Sequence, residues 1–291
     1  MERSVRRIAE TAIHPGMNPQ HRVRMVLEPG NWKEYDPFLM LAEDWFVPGT
    51  FGDHPHRGFE TVTFVIEGQI EHRDNKGGHG VLHPGDAQWM TAGRGVVHSE
   101  EAGRDGAHSL QLWLNLPRAL KMTEPRYQDL RGAEMPVRRV DGAELRVFSG
   151  TSGSVNGPAQ NHVPVTMIEM RIDAGATVRQ ELPATYNAFL YLIAGNSRVA
   201  QAGQVVWFTP EPGDVVIEAG TAMHAILFAG EPLREPVGGA EFLEGELRVR
   251  VQVPAEVDQF RQQGFEPRAH QCGGLSFSRV VAHRITLASG Q

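Results

Sequence analysis

The stretch that decides the fold is GDHPHRGFETVTFVIEG, residues 52–68. It begins with a turn-forming Gly-Asp pair and runs into β-branched and aromatic residues, which are typical of a strand. His54 and His56 stand one residue apart in it, and Glu60 follows four positions later. Side chains alternate between the two faces of an extended chain, so all three point the same way if no bulge intervenes. The stretch predicts either half of a metal site or polar residues at the start of a strand.

Short strand-like segments recur on both sides of this stretch, separated by turns rich in Gly, Pro and Asp. The clearest are HSLQLWLNL (108–116) in the first half and VTMIEMRI (165–172) and AFLYLIAG (188–195) in the second. Long helical periodicity is scarce. The pattern predicts an all-β protein.

The two halves of the chain also resemble each other. ETVTFVIEG (60–68) can be laid over NAFLYLIAG (187–195), HPGDAQW (83–89) over EPGDVVI (211–217), and GRGVVH (93–98) over AGTAMH (219–224). Three matches in the same order at a nearly constant offset indicate a duplicated unit of about a hundred residues. We predict two barrels or jelly rolls built alike, because closure hides the edges of a sheet.

The expected organisation has four parts. Residues 1–125 form the first barrel and residues 126–142 form a linker; the stretch PRALKMTEPRYQDLRGAEMP (117–136), rich in Pro and charge, indicates the linker and one short helix. Residues 143–266 form the second barrel and end in a short helix over PAEVDQFRQQGF (254–265), whose proline suits a first helical position. The tail, 267–291, has no clear pattern.

The charge and the cysteine content exclude several classes of function. With 35 acidic and 28 basic side chains, the chain of 291 residues carries a formal charge of −7, which argues against direct nucleic-acid binding. Cys272 is the single cysteine, so an intrachain disulfide and a thiolate metal cluster are excluded. The N-terminus lacks a secretory h-region, and no apolar run approaches the length of a membrane span. We expect a cytoplasmic protein without membrane contact.

A second polar cluster lies in GRGVVHSEE (93–101), where His98 and Glu100 share a face of an extended chain. Two strands of a small barrel can face each other across its interior. His54, His56, His98 and Glu100 would then offer three neutral nitrogens and one carboxylate, which suit a divalent first-row metal with open positions. The four residues together predict a metal site.

Each part of this site has an ordinary structural alternative. Two histidines near a strand end often form a solvated turn, and a single His98 is often a core histidine; their combination favours the metal. The carboxylate ligand stays open between Glu100 and Glu60, and the other one then holds an imidazole or a water. The remaining histidines of this half are expected at the surface, with the last also bordering the pocket: His72, His79, His83 and His108.

Four motifs resemble those of the pirins, a bicupin family of the cupin superfamily: DHPHRGFETV (53–62), PGDAQWMTAGRGVVHSEE (84–101), LQLWLNLP (110–117) and GEPLREPV (230–237). The likeness runs from about residue 36 to 237 and leaves the tail out. It implies two tandem cupin barrels and one mononuclear non-haem iron, Fe(II), in the first barrel; the short C-terminal helix rests on residues 254–265 alone. The implied iron ligands match His54, His56, His98 and Glu100, so the resemblance favours Glu100 over Glu60. Other divalent transition metals are alternatives.

The overlay of the halves predicts no complete site in the second barrel. Glu181, Pro183, Asn187 and Ile226 fall on the places of His54, His56, Glu60 and Glu100, and only His224 keeps its counterpart, His98. We therefore expect the second barrel to be structural or a partner surface. A weak site built from Glu181 and His224 is the alternative.

The resemblance implies quercetin 2,3-dioxygenase activity, with a flavonol-like small molecule and dioxygen as substrates. An iron held by one carboxylate keeps positive charge that attracts an anionic substrate, and Glu100 either binds the metal or accepts the flavonol proton as the catalytic base. A flat substrate would be walled by residues near the motifs, although core packing is the expected role for at least half of them: Phe51, Phe59, Trp89 and Met90.

Two other functions compete with the dioxygenase. The resemblance also implies an iron-dependent, redox-sensitive regulatory protein that binds a transcription factor or a metabolic enzyme. A sugar or small-acid isomerase using the metal as a Lewis acid fits a cupin but lacks a motif of its own. A monomer is expected in each case.

Overall fold

The computed structural model describes residues 1–237, 240–243 and 246–249. The predicted C-terminal helix (254–265) and the tail lie outside the described residues. No helix in the described part of the chain has the length and apolar character needed to cross a membrane.

Strands dominate the described chain. Up to residue 142 the elements are β1 (Val5–Glu10), β2 (Ile13–Pro15), β3 (Arg22–Leu27), α1 (Trp32–Tyr35), β4 (Phe38–Phe46), β5 (Phe51–His56), β6 (Phe59–Asp74), β7 (His79–Leu82), β8 (Ala87–Thr91), β9 (Val96–Asn115), β10 (Arg126–Leu130) and β11 (Val137–Val140). They continue with β12 (Ala143–Ser149), β13 (Thr151–Ser152), β14 (Val155–Asn156), β15 (Val165–Ile172), β16 (Thr177–Glu181), β17 (Asn187–Ala194), β18 (Gln204–Phe208), β19 (Asp214–Glu218), β20 (Met223–Gly230), β21 (Ala240–Leu243) and β22 (Glu246–Val249).

The first barrel is the nine-stranded sheet, with strand order β10-β8-β6-β9-β4-β3-β2 and with β5 and β7 added to β9 and β6. The long strands β6 and β9 pair over almost their whole length, with register shifts between Val65 and Glu67 and between Gly68 and Ile70. These irregularities bend the strands and let the sheet curl. Gly68 has φ +78°, and a Cβ there would lie 2.2 Å from the carbonyl oxygen of Gly106, so a larger residue does not fit.

The second barrel consists of the seven-stranded sheet β1-β18-β17-β20-β15-β12-β11 and the pair β16-β19. The predicted all-β architecture of two tandem cupin barrels is therefore confirmed. A large apolar cluster joins the two big sheets, with Phe64 and Trp89 from the first and Phe148, Phe189 and Trp207 from the second. The barrels thus share one core where their sheets pack face to face.

The ends of each barrel differ from the expected division at residues 125 and 142. Strand β1 pairs with β18, so the N-terminal residues complete the sheet of the second barrel. Buried Arg3 fixes this crossing, because its guanidinium donates to the carbonyl oxygens of Leu182, Pro183, Tyr186 and Gly213.

The expected linker, 126–142, contributes β10 to the first sheet and β11 to the second, with a single 3₁₀ turn between them. Edge pairing satisfies backbone groups that a free linker would leave to water. Whether 1–125 and 143–266 are independent folding units stays a prediction.

Strand pairing also sets the true correspondence of the two halves. The two barrels have the same pattern of strand pairing. In chain order, β15, β16, β17, β18 and β19-β20 of the second barrel correspond to β4, β5, β6, β8 and β9 of the first. The predicted match of 60–68 with 187–195 agrees, because Phe64 faces Leu110 as Tyr191 faces Ile226. The other two predicted matches are wrong by one strand. HPGD (83–86) precedes β8, whose counterpart in the second barrel is β18. EPGD (211–214) instead precedes β19, which is the counterpart of the start of β9.

Candidate metal centre

The structure brings the three predicted histidines together inside the first barrel. His54 on β5 lies directly opposite His98 on β9, and His56 is the last residue of β5. The three residues each offer a ligand atom within 4.8 Å of the others. The ring of His98 lies 4.4 Å from that of His54 and 4.8 Å from that of His56, measured between centroids. His54 is half-buried and the other two are buried, so the cluster opens to solvent on one side.

Hydrogen bonds fix which nitrogens remain available. The Nδ1 atom of His54 lies 2.7 Å from the carbonyl oxygen of Gly52. A carbonyl can only accept, so Nδ1 carries the proton and Nε2 keeps its lone pair. The Nδ1 atom of His98 lies 3.3 Å from Nδ1 of His72. Its Nε2 atom is buried and has no hydrogen-bond partner within the described chain. A buried polar atom without a partner is costly, and a metal ion would satisfy it.

Burial and the neighbouring rings keep two of these imidazoles neutral. Desolvation, with the proximity of His98 and His54, holds the pKa of His56 well below its ordinary value. Desolvation, with His54 and His72 nearby, lowers the pKa of His98 to about 2. The neutral form is the one that binds a metal, because a protonated ring nitrogen has no lone pair.

Glu100 lies two residues after His98 on the buried face of β9, as alternation predicts. Its Oε1 accepts from the Thr63 hydroxyl at 2.6 Å, and its Oε2 accepts from the Gln111 amide at 2.7 Å. The two donors orient the carboxylate and leave lone pairs on both oxygens. Glu100 is outside the group of ligand atoms within 4.8 Å, so its role as a ligand stays a prediction.

The other candidate carboxylate, Glu60, faces away from the histidines. Its oxygens accept from the Trp89 indole N–H at 3.1 Å and from the Thr91 hydroxyl at 2.6 Å. Parity fails because a turn at Arg57 and Gly58, with φ +80° at the glycine, separates β5 from β6. Glu60 therefore lies on the face that packs against the second barrel, where burial raises its pKa.

The prediction that the remaining histidines lie at the surface is right for His79 and His83 and wrong for His72. His72 is 1% exposed and its ring centroid lies 5.0 Å from that of His98. It follows Ile70, also buried, at a spacing of two along β6, and this alternation is the signal that could have placed it inside. His108 is half-buried, stacks on Trp45 and bonds to Glu43 at 2.9 Å.

Aromatic residues border the cluster on one side. Phe59 and Trp113 lie 5.1 Å and 5.4 Å from the ring of His56, and they contact each other. Phe59 was expected to wall a substrate, whereas Trp113 was not. Trp89 belongs to the core between the barrels and cannot form such a wall. Phe51 is half-buried and lies edge-on to Phe46, while Met90 packs in a small separate cluster.

Among its described residues, the second barrel has no equivalent cluster. Strands β16 and β19 pair as β5 and β9 do. When the buried pair Gln180–Val215 is laid over His54–His98, Leu182 and Ile217 fall on the positions of His56 and Glu100. Val215 and Ile217 belong to a buried apolar cluster that fills this barrel. In the part of the chain that the structure describes, the three histidines of the first barrel are the one group of three or more potential ligands.

The residues that the overlay singled out have other surroundings. Glu181 and Pro183 are exposed and line an open groove of about 650 Å³ that also includes His162 and Tyr186. His224 is the counterpart of His108, not of His98, and bonds to Glu169 at 2.9 Å as His108 bonds to Glu43. The alternative of a weak site from Glu181 and His224 therefore loses its basis.

Comparison with known proteins supplies the family. Residues 20–114 match the family model described as Pirin, and residues 167–240 match the Pirin C-terminal cupin domain. Pirin-like protein 2 of Arabidopsis thaliana is 39% identical over 229 residues, which cover 74% of this chain and 71% of that protein. A protein of solved structure from Geobacillus kaustophilus is 52% identical, with 81% of this chain and 99% of that chain covered and a TM-score of 0.78.

A solved quercetin 2,3-dioxygenase from Acinetobacter baumannii is 25% identical, with 90% of this chain and 96% of that chain covered and a TM-score of 0.76. Its likeness extends over both barrels, as do the two matching family models. The chain belongs to the pirin family.

Proposed function

We propose that the first barrel holds one Fe(II) ion per chain at His54, His56, His98 and Glu100, and that the protein is a quercetin 2,3-dioxygenase type enzyme. The observation that carries the proposal is the buried, unpartnered Nε2 of His98 beside the imidazoles of His54 and His56. Three nitrogens and a carboxylate are donors that suit iron and other divalent first-row metals.

The residues around the cluster fit a flat, acidic substrate. When bound, the iron would supply redox chemistry toward dioxygen and a positive charge that favours a deprotonated flavonol. Glu100, held by Thr63 and Gln111, can accept the flavonol hydroxyl proton. Phe59 and Trp113 offer an apolar border that excludes water from one side of the substrate.

Oxygen consumption with quercetin tests this proposal. Protein reconstituted with Fe(II) under anaerobic conditions should consume oxygen and cleave the flavonol ring once air and quercetin are added. His56→Ala should reduce turnover to that of free iron, whereas His79→Ala, at an exposed position, should leave it unchanged. Wild-type turnover no faster than free iron would refute the dioxygenase.

The second candidate is an iron-dependent, redox-sensitive regulatory protein that binds a transcription factor or a metabolic enzyme. The open groove of about 650 Å³ on the second barrel favours it, since that barrel carries no ligand cluster among its described residues. Pull-down with ferrous and ferric protein should recover a partner from only one state; equal recovery or none would refute it. A cytoplasmic location and a monomer remain predictions for either function.

A further inference from the structure

Behind the metal cluster, two buried polar side chains have no role in the proposed reaction. His72 and Asp74 lie on β6, and their side chains are 2% and 1% exposed. The Nε2 atom of His72 and the Oδ2 atom of Asp74 lie 4.0 Å apart, and within the described residues neither atom has a hydrogen-bond partner at normal distance. The Tyr127 hydroxyl also faces Asp74 and can donate to its carboxylate. The ring of Tyr127 packs edge-on over His72 at 4.6 Å and closes this space.

The contact between the two histidines makes this pair important for the metal. His98 meets His72 through Nδ1, at 3.3 Å, and leaves its Nε2 unpartnered. A neutral imidazole that binds a metal through Nε2 must carry its proton on Nδ1. The Nδ1 atom of His72 must then accept a hydrogen bond from this N–H of His98, because two N–H groups cannot face each other.

A neutral His72 that accepts at Nδ1 carries its proton on Nε2. The Asp74 carboxylate lies 4.0 Å from this nitrogen, and its charge favours a proton there. The carboxylates of Glu100 and Asp129 also act on the His72 ring. Asp74 is itself held in place, because its Oδ1 accepts the backbone N–H groups of Lys76 and Gly78. The chain of partners Asp74, His72 and His98 therefore has one consistent arrangement of protons, and in it His98 Nε2 is unprotonated.

We propose that His72 and Asp74 are positioning residues that hold His98 in the tautomer required for metal binding through Nε2. The inference rests on the metal site proposed above and assigns a role to residues outside its ligand set. It follows the general rule that the second nitrogen of a metal-binding histidine is fixed by a partner.

Asp74→Asn is the sharpest test, because the asparagine Oδ1 can still accept from Lys76 and Gly78 while an NH₂ group replaces Oδ2. His72 would then accept from that amide at Nε2 and turn an N–H toward His98. Zn²⁺ affinity, measured by competition with a chromogenic chelator, should fall about 10- to 100-fold. In ¹⁵N NMR of the metal-free protein, His98 should change from the Nδ1–H to the Nε2–H tautomer.

Variants at His72 separate positioning from other roles. His72→Phe should lower Zn²⁺ affinity as much as Asp74→Asn does, whereas His72→Asn, whose oxygen replaces Nδ1, should stay within about threefold of wild type. His79→Asn is the matched control on the same hairpin and should change nothing. Wild-type affinity in Asp74→Asn, or a loss beyond a thousandfold in His72→Phe without rescue by asparagine, would overturn the proposal. If wild-type protein binds no metal, the proposed function fails first.

Discussion

The two barrels share a strand order but have opposite interiors. In the first, histidines and a carboxylate on β5 and β9 face threonine and glutamine side chains such as Thr63 and Gln111. In the second, the corresponding strands β16 and β19 contribute Val215 and Ile217 to a closed apolar cluster. The fold is therefore the same with and without the histidine cluster, and the side chains at a few interior positions decide the chemistry.

A further pair of corresponding positions is kept in both barrels. Glu43 bonds to Arg24 and His108 in the first barrel, as Glu169 bonds to Arg146 and His224 in the second. In both halves the carboxylate is buried and is paired with one arginine and one histidine. The two halves thus keep a structural ion pair, while among the described residues the histidine cluster lies in the first barrel alone.

The largest expected effect comes from giving the first barrel the residue of the second. His98→Val installs the counterpart of Val215 and removes one of three imidazole ligands. Metal affinity should fall at least about a thousandfold, or ~4 kcal/mol, while metal-free stability stays the same or rises because an unpartnered buried nitrogen is lost. Chelator competition and thermal unfolding measure the two quantities. An unchanged affinity would mean that His98 is not a ligand.

The reverse substitution should destabilise the second barrel. Val215 is fully buried among aliphatic side chains, so Val215→His places a polar ring where the described residues offer an apolar environment. The free energy of unfolding should drop by about 2–4 kcal/mol in denaturant titrations. No second metal should bind. A stable, metal-binding variant would show that the two interiors differ less than their side chains indicate.

The next effect is the pH dependence of stability that the buried histidine gives the first barrel in metal-free protein. An unfolded histidine gains a proton below pH 6.5, whereas His98 keeps its neutral form in the folded protein until about pH 2. The unfolded state therefore binds more protons, and stability falls as pH decreases below 6.5. In His98→Val this slope should be smaller by about 1.4 kcal/mol per pH unit. Urea titrations at pH 6.5 and 4.5 measure the free energy of unfolding of both proteins. If wild type and His98→Val lose the same stability between these pH values, the assigned burial of His98 is wrong.

The smallest expected effect concerns the two carboxylates of the first barrel. Thr63→Val removes the hydroxyl that orients Glu100 and should weaken metal binding about tenfold. Glu60→Gln changes a carboxylate on the opposite face, held by Trp89 and Thr91, and should leave metal affinity within about twofold. Both are measured by chelator competition. A larger loss in Glu60→Gln than in Thr63→Val would reverse the assignment of the two carboxylates.

Local patterns were enough to predict much of this site. The spacing of His54 and His56 and of His98 and Glu100 follows strand alternation, which tertiary contacts did not alter. The orientation of Glu60 could not be predicted without the turn at 57–58, because a turn between two strands changes which residues of the second strand face inward. The polar neighbours Glu71 and Arg73 predict a surface position for His72, whereas β6 continues to Asp74 and buries this histidine.

The arrangement of the sheets was less accessible from sequence. The pairing of β1 with β18 joins residues about two hundred positions apart, and no local signal selects between open sheet edges. The repeat was recognised, yet similar Gly-Asp turns precede different strands in the two halves, so the overlay slipped by one strand. Strand pairing was needed to identify Val215 as the counterpart of His98.

Anomalous diffraction at the iron edge, from crystals of protein reconstituted with Fe(II), tests the central claim most directly. We predict one strong peak per chain, enclosed by His54, His56, His98 and Glu100, and no peak among Gln180, Leu182, Val215 and Ile217. An empty histidine cluster in fully reconstituted protein, or an iron peak inside the second barrel, would contradict the account.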